Sequence, residues 1–347
     1  MRAVVLHGPG DLRVESVAEP ELPPGGLLVR PAFVGICGSD VRSWRHGSPR
    51  IRGPQVLGHE IAGRVVASDA AGIAVGTPVA ICPGAPCGEC RACQAGRGNL
   101  CAQRRVLGYD LPGGMAELLA VPRDWIGSGG VVALDAGRSL DRGALVEPLH
   151  TVLNGQDQAR IGQGDAVLVL GLGPIGVLHV ASARSRGAGL VAGVDPDPTR
   201  VAAARRVLGT LDVEAKDAGW AKRLRDRVGG GGFDVVVVAV GSRDAVAEAI
   251  DLAEAGGRIL AFAGMAPGAH VLDVDLNRLH YRQSSLVGTF GGTPSHFRRA
   301  AVWLAESALD VAVFAPLRFG LSDALDAFAS VERGDGLKTL LEIDSAG

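Results

Sequence analysis

The sequence predicts an α/β protein with two domains, one rich in β-strands and one built on a doubly wound parallel sheet. Three observations support this. The chain has 347 residues, more than one average domain needs. Strand-like and helix-like segments alternate from Asp165 to about Phe290. Before that stretch, the apolar runs are short and are bounded by turn residues, which is typical of β structure.

The first region, residues 1–147, is rich in Gly and Pro, and helical periodicity is hard to find in it. Its short apolar runs are Ala3–Leu6, Leu27–Val29, Ile61–Val66, Val79–Ile81 and Ala116–Val121. We expect each run to form a strand, because a short apolar run between turn residues favours a strand over a helix.

The second region begins with AVLVLG (166–171), an apolar run of the length of a buried strand. A Gly-rich turn and an apolar helix to about Arg186 follow. The later segments are the strand LVAGVD (190–195), the helix PTRVAAARRVLG (198–209), the strand FDVVVVAVG (233–241), the helix AVAEAIDLAEAG (245–256) and the strand GRILAFAG (257–264). This alternation predicts a parallel sheet with helices on both faces.

After about Phe290 the alternation stops. The tail contains a predicted helix around His296–Ala308, another near Ser322–Arg333 and the terminal strand LKTLLEI. We expect this tail to return to the first domain. The predicted division therefore assigns residues 1–148 and 291–347 to the β-rich domain and residues 149–290 to the parallel-sheet domain.

Composition and charge narrow the function classes. The formal net charge is −2, which disfavours a nucleic-acid or membrane-surface binder, because such proteins need a basic face. The N-terminal segment MRAVVLHGPGDLRVES has no apolar run of signal-peptide length, and no run of ~18 apolar residues occurs. We expect a cytoplasmic protein that acts on a small molecule, with no nucleic-acid or membrane partner.

All six cysteines fall between Cys37 and Cys101. Four of them, Cys87, Cys90, Cys93 and Cys101, are spaced so that their thiolates can surround one metal ion. A closed four-thiolate site is typical of structural zinc, and an iron–sulfur cluster is the alternative. The sequence therefore predicts a structural-zinc lobe over residues 82–104, in which Cys82 is a buried small apolar residue.

The motif G-x-G-x-x-G follows the first strand of the second domain and opens a helix, as a dinucleotide-binding fingerprint requires. Its residues are Gly171, Gly173, Pro174, Ile175 and Gly176. Asp195 ends the next strand, where a carboxylate can accept hydrogen bonds from the adenosine ribose and would repel a 2′-phosphate. These features predict a Rossmann domain that binds NAD. Arg200 either covers the adenine or is a solvated helix charge.

A second group of potential metal ligands consists of Cys37, His59, Glu60 and Glu147. This mixture has too few thiolates for a closed site. It favours a catalytic zinc with one position open for water or substrate.

Together, GICGSDVRSWRHG (35–47), LGHEIAGRVV (57–66), the four-cysteine lobe and VEPLHTVLNGQ (146–156) before GLGPIG resemble the zinc-dependent medium-chain dehydrogenases, and within them the polyol or sorbitol-type branch. The resemblance implies a GroES-like catalytic domain with an inserted Rossmann domain. It also implies that Cys37 and His59 ligate a catalytic zinc, that Glu60 or Glu147 completes the ligand set, and that Ser39 takes the substrate proton. Asp40 would orient a ligand.

The activity that the resemblance implies is interconversion of a secondary alcohol, of polyol, sugar-alcohol or amino-cyclitol type, with its ketone, using two zinc ions per chain and NAD. Alternatives are a simple secondary alcohol, a threonine-type amino alcohol, or a non-catalytic NAD-binding zinc protein. Val240 and Gly264 follow sheet strands and are expected to line the cofactor. A homodimer or homotetramer is also implied.

Two of the departures of this sequence from the family concern the active site. Where the family has a His that passes the proton to solvent, this chain has Arg42, which stays protonated and cannot act as a base. Either Ser39 gives its proton to water or His46 substitutes, and Arg42 could bind an anionic group. In addition, GTFGGTP (288–294) lacks the Arg that sorbitol-type enzymes have there, which disfavours sorbitol as the substrate.

Overall fold

A computed structural model describes residues 1–210, 212–265 and 268–343. The chain divides into two compact units, Met1–His150 with the residues from Gly292 onward, and Thr151–Gly291. Residues 211, 266, 267 and 344–347, which the predicted domains include, lie outside the described residues. The domain division itself stays a prediction.

The first part of the chain is mostly strands. They are β1 (Arg2–Gly8), β2 (Asp11–Ser16), β3 (Leu27–Gly35), β4 (Gln55–Val56), β5 (Glu60–Ser68), β6 (Pro78–Ile81), β7 (Gly84–Ala85), β8 (Arg105–Val106), β9 (Leu119–Val121) and β10 (Val131–Ala133). The helices are α1 (Gly38–His46), α2 (Arg91–Gln94), α3 (Arg123–Gly127), α4 (Asp141–Ala144) and α5 (Val146–Gln158), with a 3₁₀ turn at Gly98–Leu100.

The second unit alternates strands and helices as the sequence predicts. They are β11 (Ala166–Leu170), α6 (Pro174–Ser185), β12 (Leu190–Asp195), α7 (Pro198–Leu208), β13 (Val213–Ala215), α8 (Trp220–Arg227), β14 (Phe233–Val238), α9 (Arg243–Leu252), β15 (Ala253–Ala261), α10 (Leu276–Arg282) and β16 (Ser285–Gly288). The six strands are parallel in the order β13-β12-β11-β14-β15-β16. This is the 3-2-1-4-5-6 order of a Rossmann fold.

The tail consists of α11 (Pro294–Glu306), α12 (Val311–Phe314), β17 (Leu317–Gly320), a 3₁₀ turn at Leu321–Asp323, α13 (Ala324–Arg333) and β18 (Thr339–Glu342). Strand β18 pairs antiparallel with β3, so the tail joins the sheet of the first part. That mixed sheet has the order β10-β6-β5-β3-β18-β17, with β9 also on β3. Trp125 and Phe328, both fully buried, belong to the core beneath it.

The predicted strands and helices occur, with shifted ends. The helix predicted over 245–256 stops at Leu252, and β15 begins at Ala253, because its first residue pairs with Phe233 of the neighbouring strand. The first region also contains α1, a nine-residue helix that apolar periodicity did not predict, because its buried positions include the polar residues Asp40 and Ser43. Among the described helices, none is long and apolar enough to cross a bilayer.

Candidate metal centre and dinucleotide site

The structure brings Cys37, His59 and Glu60 together, with one potential ligand atom of each within 4.8 Å of the others. Cys37 is the residue before α1, and Glu60 opens β5. Glu60 pairs in register with Gly35 of β3. A Cβ at position 35 would lie 1.9 Å from Glu60 Oε2, so only glycine leaves room for this carboxylate.

Asp40 organises this cluster from the first turn of α1. Its Oδ2 accepts a hydrogen bond from the Cys37 backbone N–H at 3.0 Å, which caps the helix, and its Oδ1 lies 3.2 Å from His59 Nδ1. The second contact makes the Asp40 carboxylate the ion-pair partner of this ring nitrogen. Burial opposes a charge on His59, but the Asp40 carboxylate outweighs it and raises the pKa of His59 well above its usual value. Asp40 therefore occupies the orienting position that was expected of it.

Ser39 lies on the other side of the imidazole. Its Oγ is 3.5 Å from His59 Nε2. The two ring nitrogens thus differ, since Nδ1 faces a carboxylate and Nε2 faces Ser39 and the cluster. This is the arrangement in which a histidine binds a metal through Nε2 while its other nitrogen is held by a carboxylate.

The donor set fits zinc. A thiol, an imidazole and a carboxylate converge, and zinc binds all three ligand types. These three residues could hold a zinc ion and leave one position open.

Sequence reasoning missed Lys338, which lies just before β18. Its ammonium is buried, pairs with Glu60 and donates a hydrogen bond to the Ile36 carbonyl at 2.8 Å. Burial alone would lower the pKa of Lys338, but the carboxylate of Glu60 outweighs it and raises that pKa. The sequence does contain an indication of this role, because Lys338 is one of only three lysines in an Arg-rich chain and precedes a buried strand.

Glu147 lies in the first turn of α5 and is also buried. Burial raises the pKa of Glu147 to about 7, and the nearby His59 opposes that rise. Glu147 is not among the residues whose ligand atoms lie within 4.8 Å of one another. The geometry therefore favours Glu60 over Glu147 as the third ligand.

The four cysteines of the lobe form a second cluster. The Sγ–Sγ distances are 3.9 Å for Cys87–Cys93, 3.5 Å for Cys90–Cys93 and 3.5 Å for Cys101–Cys87. Four sulfurs about 2.3 Å from a tetrahedral zinc would be about 3.8 Å apart. None of the four cysteines forms a disulfide. The pKa of Cys87 is lowered to about 7, mainly because its thiolate accepts a hydrogen bond from the Cys90 backbone N–H. The cluster fits a closed structural zinc, and Cys82 is buried outside it.

In the second unit, the glycine motif turns from β11 into α6. Gly171 has φ +96°, and a Cβ at Gly176 would lie 1.8 Å from the Gly171 carbonyl oxygen. At Gly173, the residue before α6, a Cβ would meet nothing within 4 Å. Pro174 and Ile175 form the first turn of α6, whose free N–H groups can bind a pyrophosphate.

Asp195 ends β12 next to this turn and is buried. Its Oδ2 accepts a hydrogen bond from the Leu172 N–H at 2.8 Å, and its Oδ1 accepts one from the Asp197 N–H at 2.9 Å. A carboxylate has about four acceptor positions, so two remain for ribose hydroxyls. Arg200 Nη1 lies 3.9 Å from Asp195 Oδ2, and this half-exposed side chain also pairs with Asp197.

Val240 and Gly264 follow β14 and β15 at the carboxyl edge of the sheet, as expected. A Cβ at Gly171 would lie 3.3 Å from Val240 Cβ, and a Cβ at Gly241 would lie 2.6 Å from the Gly264 carbonyl oxygen. Val240 is 38% exposed. Val240 thus borders the glycine turn, and Gly264 lies next to Gly241, at the edge of the sheet where parallel sheets bind ligands.

The structure does not bring His46 to Ser39. His46 is seven residues further along α1, about 10 Å at the helical rise, and lines a separate cavity with His7. Tyr109, which sequence reasoning did not single out, does lie at the cluster. Its ring centroid is 5.7 Å from that of His59. Burial raises the pKa of Tyr109, and a side-chain hydrogen bond with Ser39 acts against this.

Both parts of the chain, the one with the metal ligands and the one with the glycine motif, are similar to known proteins. The family described as "Alcohol dehydrogenase GroES-like domain" matches residues 23–133, and "Zinc-binding dehydrogenase" matches residues 174–306. D-xylulose reductase A of Aspergillus niger is 31% identical over 97% of this chain and 95% of its own length. The chain belongs to the zinc-dependent medium-chain alcohol and polyol dehydrogenases. This family uses zinc and NAD(P), so the resemblance and the cofactor classes are confirmed.

Solved structures agree with this family. A protein of Sinorhizobium meliloti 1021 described as a zinc-binding dehydrogenase bound to NADP has a TM-score of 0.89 and 32% identity, and 99% of each chain is covered. L-idonate 5-dehydrogenase of Escherichia coli K-12 has a TM-score of 0.86 and 26% identity, covering 99% of this dehydrogenase and 98% of its own chain. The predicted GroES-like plus Rossmann fold and the enzyme class are confirmed.

Proposed function

We propose that this dehydrogenase interconverts a polyol-type secondary alcohol and its ketone, with Cys37, His59 and Glu60 as the ligands of a catalytic zinc. One observation carries the proposal. The ligand atoms of these three residues lie within 4.8 Å of one another, and Ser39 Oγ lies 3.5 Å from His59 Nε2. A metal ligand and a proton acceptor therefore face the same point. The D-xylulose reductase relative supports a polyol as the substrate class.

Zinc supplies a Lewis acid for the alcohol oxygen when it is bound, and the nicotinamide supplies the hydride acceptor. Ser39 accepts the proton of the substrate hydroxyl at Oγ and passes its own hydroxyl proton to water. Asp40 holds the His59 ring in orientation, and the ammonium of Lys338 offsets the charge of the buried Glu60. The four-cysteine lobe would hold a second, structural zinc.

The proposal favours NAD over NADP. Asp195 is fixed by two backbone N–H donors at the end of β12, and its fixed negative charge would face a 2′-phosphate. The Arg200 guanidinium, 3.9 Å away, weakens this repulsion. We expect NAD to give the higher kcat/KM.

The proposal also includes a cytoplasmic location and a homo-oligomer, dimeric or tetrameric. Strand β16 is an edge of the parallel sheet. Exposed large apolar side chains lie in it, just after it and in the preceding helix α10, namely Leu286, Phe290, Leu276 and Tyr281. An open edge strand with exposed apolar neighbours is suited to pairing with a second copy.

Metal content per chain, measured together with an NAD⁺ reduction screen, tests the proposal. The screen should contain neutral polyols, amino-cyclitols, simple secondary alcohols and threonine. We expect two zinc ions per chain and turnover of at least one polyol. One zinc per chain, or turnover of threonine or simple alcohols alone, would contradict the proposal.

A further inference from the structure

A cavity of ≈ 630 Å³ lies in the first unit. It is lined by residues of the segment 49–55, which leads into β4, and by Tyr109 and Asp110. Its charged lining residues are Arg50, Arg52 and Asp110. The cavity is therefore net positive in a chain whose total charge is slightly negative.

The ring of Tyr109 connects this cavity to the cluster. The centroid of the Tyr109 ring lies 5.7 Å from the centroid of the His59 ring and 5.9 Å from the Arg50 guanidinium carbon. A substrate whose hydroxyl group lies between Cys37 and His59 can thus extend along Tyr109 toward the arginines. Polyols and sugar acids are chains of this kind.

Arg50 and Arg52 line the cavity, and Arg104 lies next to Arg50. Arg50 donates a hydrogen bond to the Arg104 carbonyl and pairs with Asp110. Burial lowers the pKa of Arg104, and the neighbouring Arg50 cation lowers it further. Arg52 is exposed, and no described side chain pairs with it. Arg50 and Arg104 are thus close together, and Arg52 lines the cavity without an anionic partner among the described side chains.

We propose that the alcohol substrate carries an anionic group, a carboxylate or a phosphate, that Arg52 and Arg50 bind in this cavity. The proposal rests on the proposed function and specifies its substrate as a sugar acid or a sugar-alcohol phosphate. A guanidinium binds either anion through two parallel hydrogen bonds. A neutral polyol would leave Arg52 without a partner.

The test compares three substrates with one carbon skeleton: a hexitol, the matching hexonate and the hexitol phosphate. With NAD⁺ at low ionic strength, we expect kcat/KM for the hexonate or the phosphate to exceed that for the hexitol tenfold or more. The better of the two anions identifies the group. The advantage should decrease as salt is added, because an exposed charge pair is screened.

Arg52→Ala should reduce the ratio of anionic to neutral kcat/KM by about tenfold to a hundredfold, the cost of losing a charge-assisted hydrogen bond. Arg52→Lys should recover part of it. The control is Arg30→Ala, since Arg30 is an exposed arginine on β3 outside the cavity. Calorimetric titration of the NADH-loaded protein with the hexonate should show the same order of affinities.

Three results would overturn the inference. If the hexitol is used as well as both anions, the substrate does not need an anionic group, although the proposed function stands. If Arg52→Ala and Arg30→Ala give the same ratio, Arg52 does not bind substrate. If no secondary alcohol of any charge is turned over, the proposed function fails and this inference fails with it.

Discussion

Replacing Lys338 with methionine removes one charge from a buried pair while keeping a side chain of similar length. Lys338 pairs with Glu60, and the exposed fractions of the two side chains are 4% and 1%. Methionine can fill the space left by the aliphatic stem but can neither pair with the carboxylate nor donate to the Ile36 carbonyl. Glu60 would therefore stay buried without its lysine partner.

Removing one partner of a buried ion pair typically costs about 3–5 kcal/mol, because the remaining charge stays desolvated. In the zinc-loaded protein we expect the lower end of that range, since the metal is a second positive charge beside Glu60. For a unit of 150–250 residues, each kcal/mol lowers Tm by about 2–4 °C. The expected decrease for Lys338→Met is therefore at least about 6 °C.

Thermal unfolding followed by circular dichroism measures this decrease. The control is Lys222→Met, because Lys222 forms an exposed pair with Asp226 that contributes at most about 1 kcal/mol. In the Glu60→Gln background, where the carboxylate is already absent, Lys338→Met should cost clearly less than it does in the parent. If Lys338→Met melts within 2 °C of the parent, or if it costs as much in the Glu60→Gln background, the pair does not stabilise the fold as argued.

The remaining predictions concern stability and binding elsewhere. Burial lowers the pKa of His179 to about 3, below its unfolded value. The free energy of unfolding should therefore have its full value above pH ~6.5 and be about 2 kcal/mol lower at pH 5. Urea unfolding of His179→Gln should show a smaller decrease over the same pH range. Gly176→Ala should destabilise the second unit, because its Cβ would meet the Gly171 carbonyl at 1.8 Å, whereas Gly173→Ala should fold normally yet bind NADH at least tenfold more weakly by fluorescence titration. Equal behaviour of the two variants would contradict this assignment. Cys90→Ser should lose one zinc per chain and lower Tm, whereas Cys82→Ala should keep both zinc ions; an unchanged metal content in Cys90→Ser would refute the structural-zinc cluster.

The glycine motif and the cysteine lobe are local patterns. The glycine spacing of 171–176 needs only a strand before it and a helix after it, and both are adjacent in sequence. The cysteine spacing of 87–101 likewise brings four ligands together over a short loop. In both cases the residues that act together are neighbours in the chain, so no tertiary information was needed.

The parts that sequence reasoning missed depend on distant segments. Lys338 reaches Glu60 only because β18 pairs with β3, which in turn pairs with β5. Tyr109 contacts His59 from a turn that has no local motif. Helix α1 has polar residues at buried positions because Asp40 serves the cluster, so its apolar periodicity is weak.

Metal content of Cys37→Ser, measured together with turnover, tests the central claim most directly. The account predicts one zinc per chain in this variant against two in the parent, no NAD⁺-linked turnover of a secondary alcohol, and a circular-dichroism spectrum like that of the parent, because the four-cysteine lobe remains intact. A variant that keeps two zinc ions, or that still reduces NAD⁺ with the alcohol, would contradict a catalytic zinc at Cys37, His59 and Glu60.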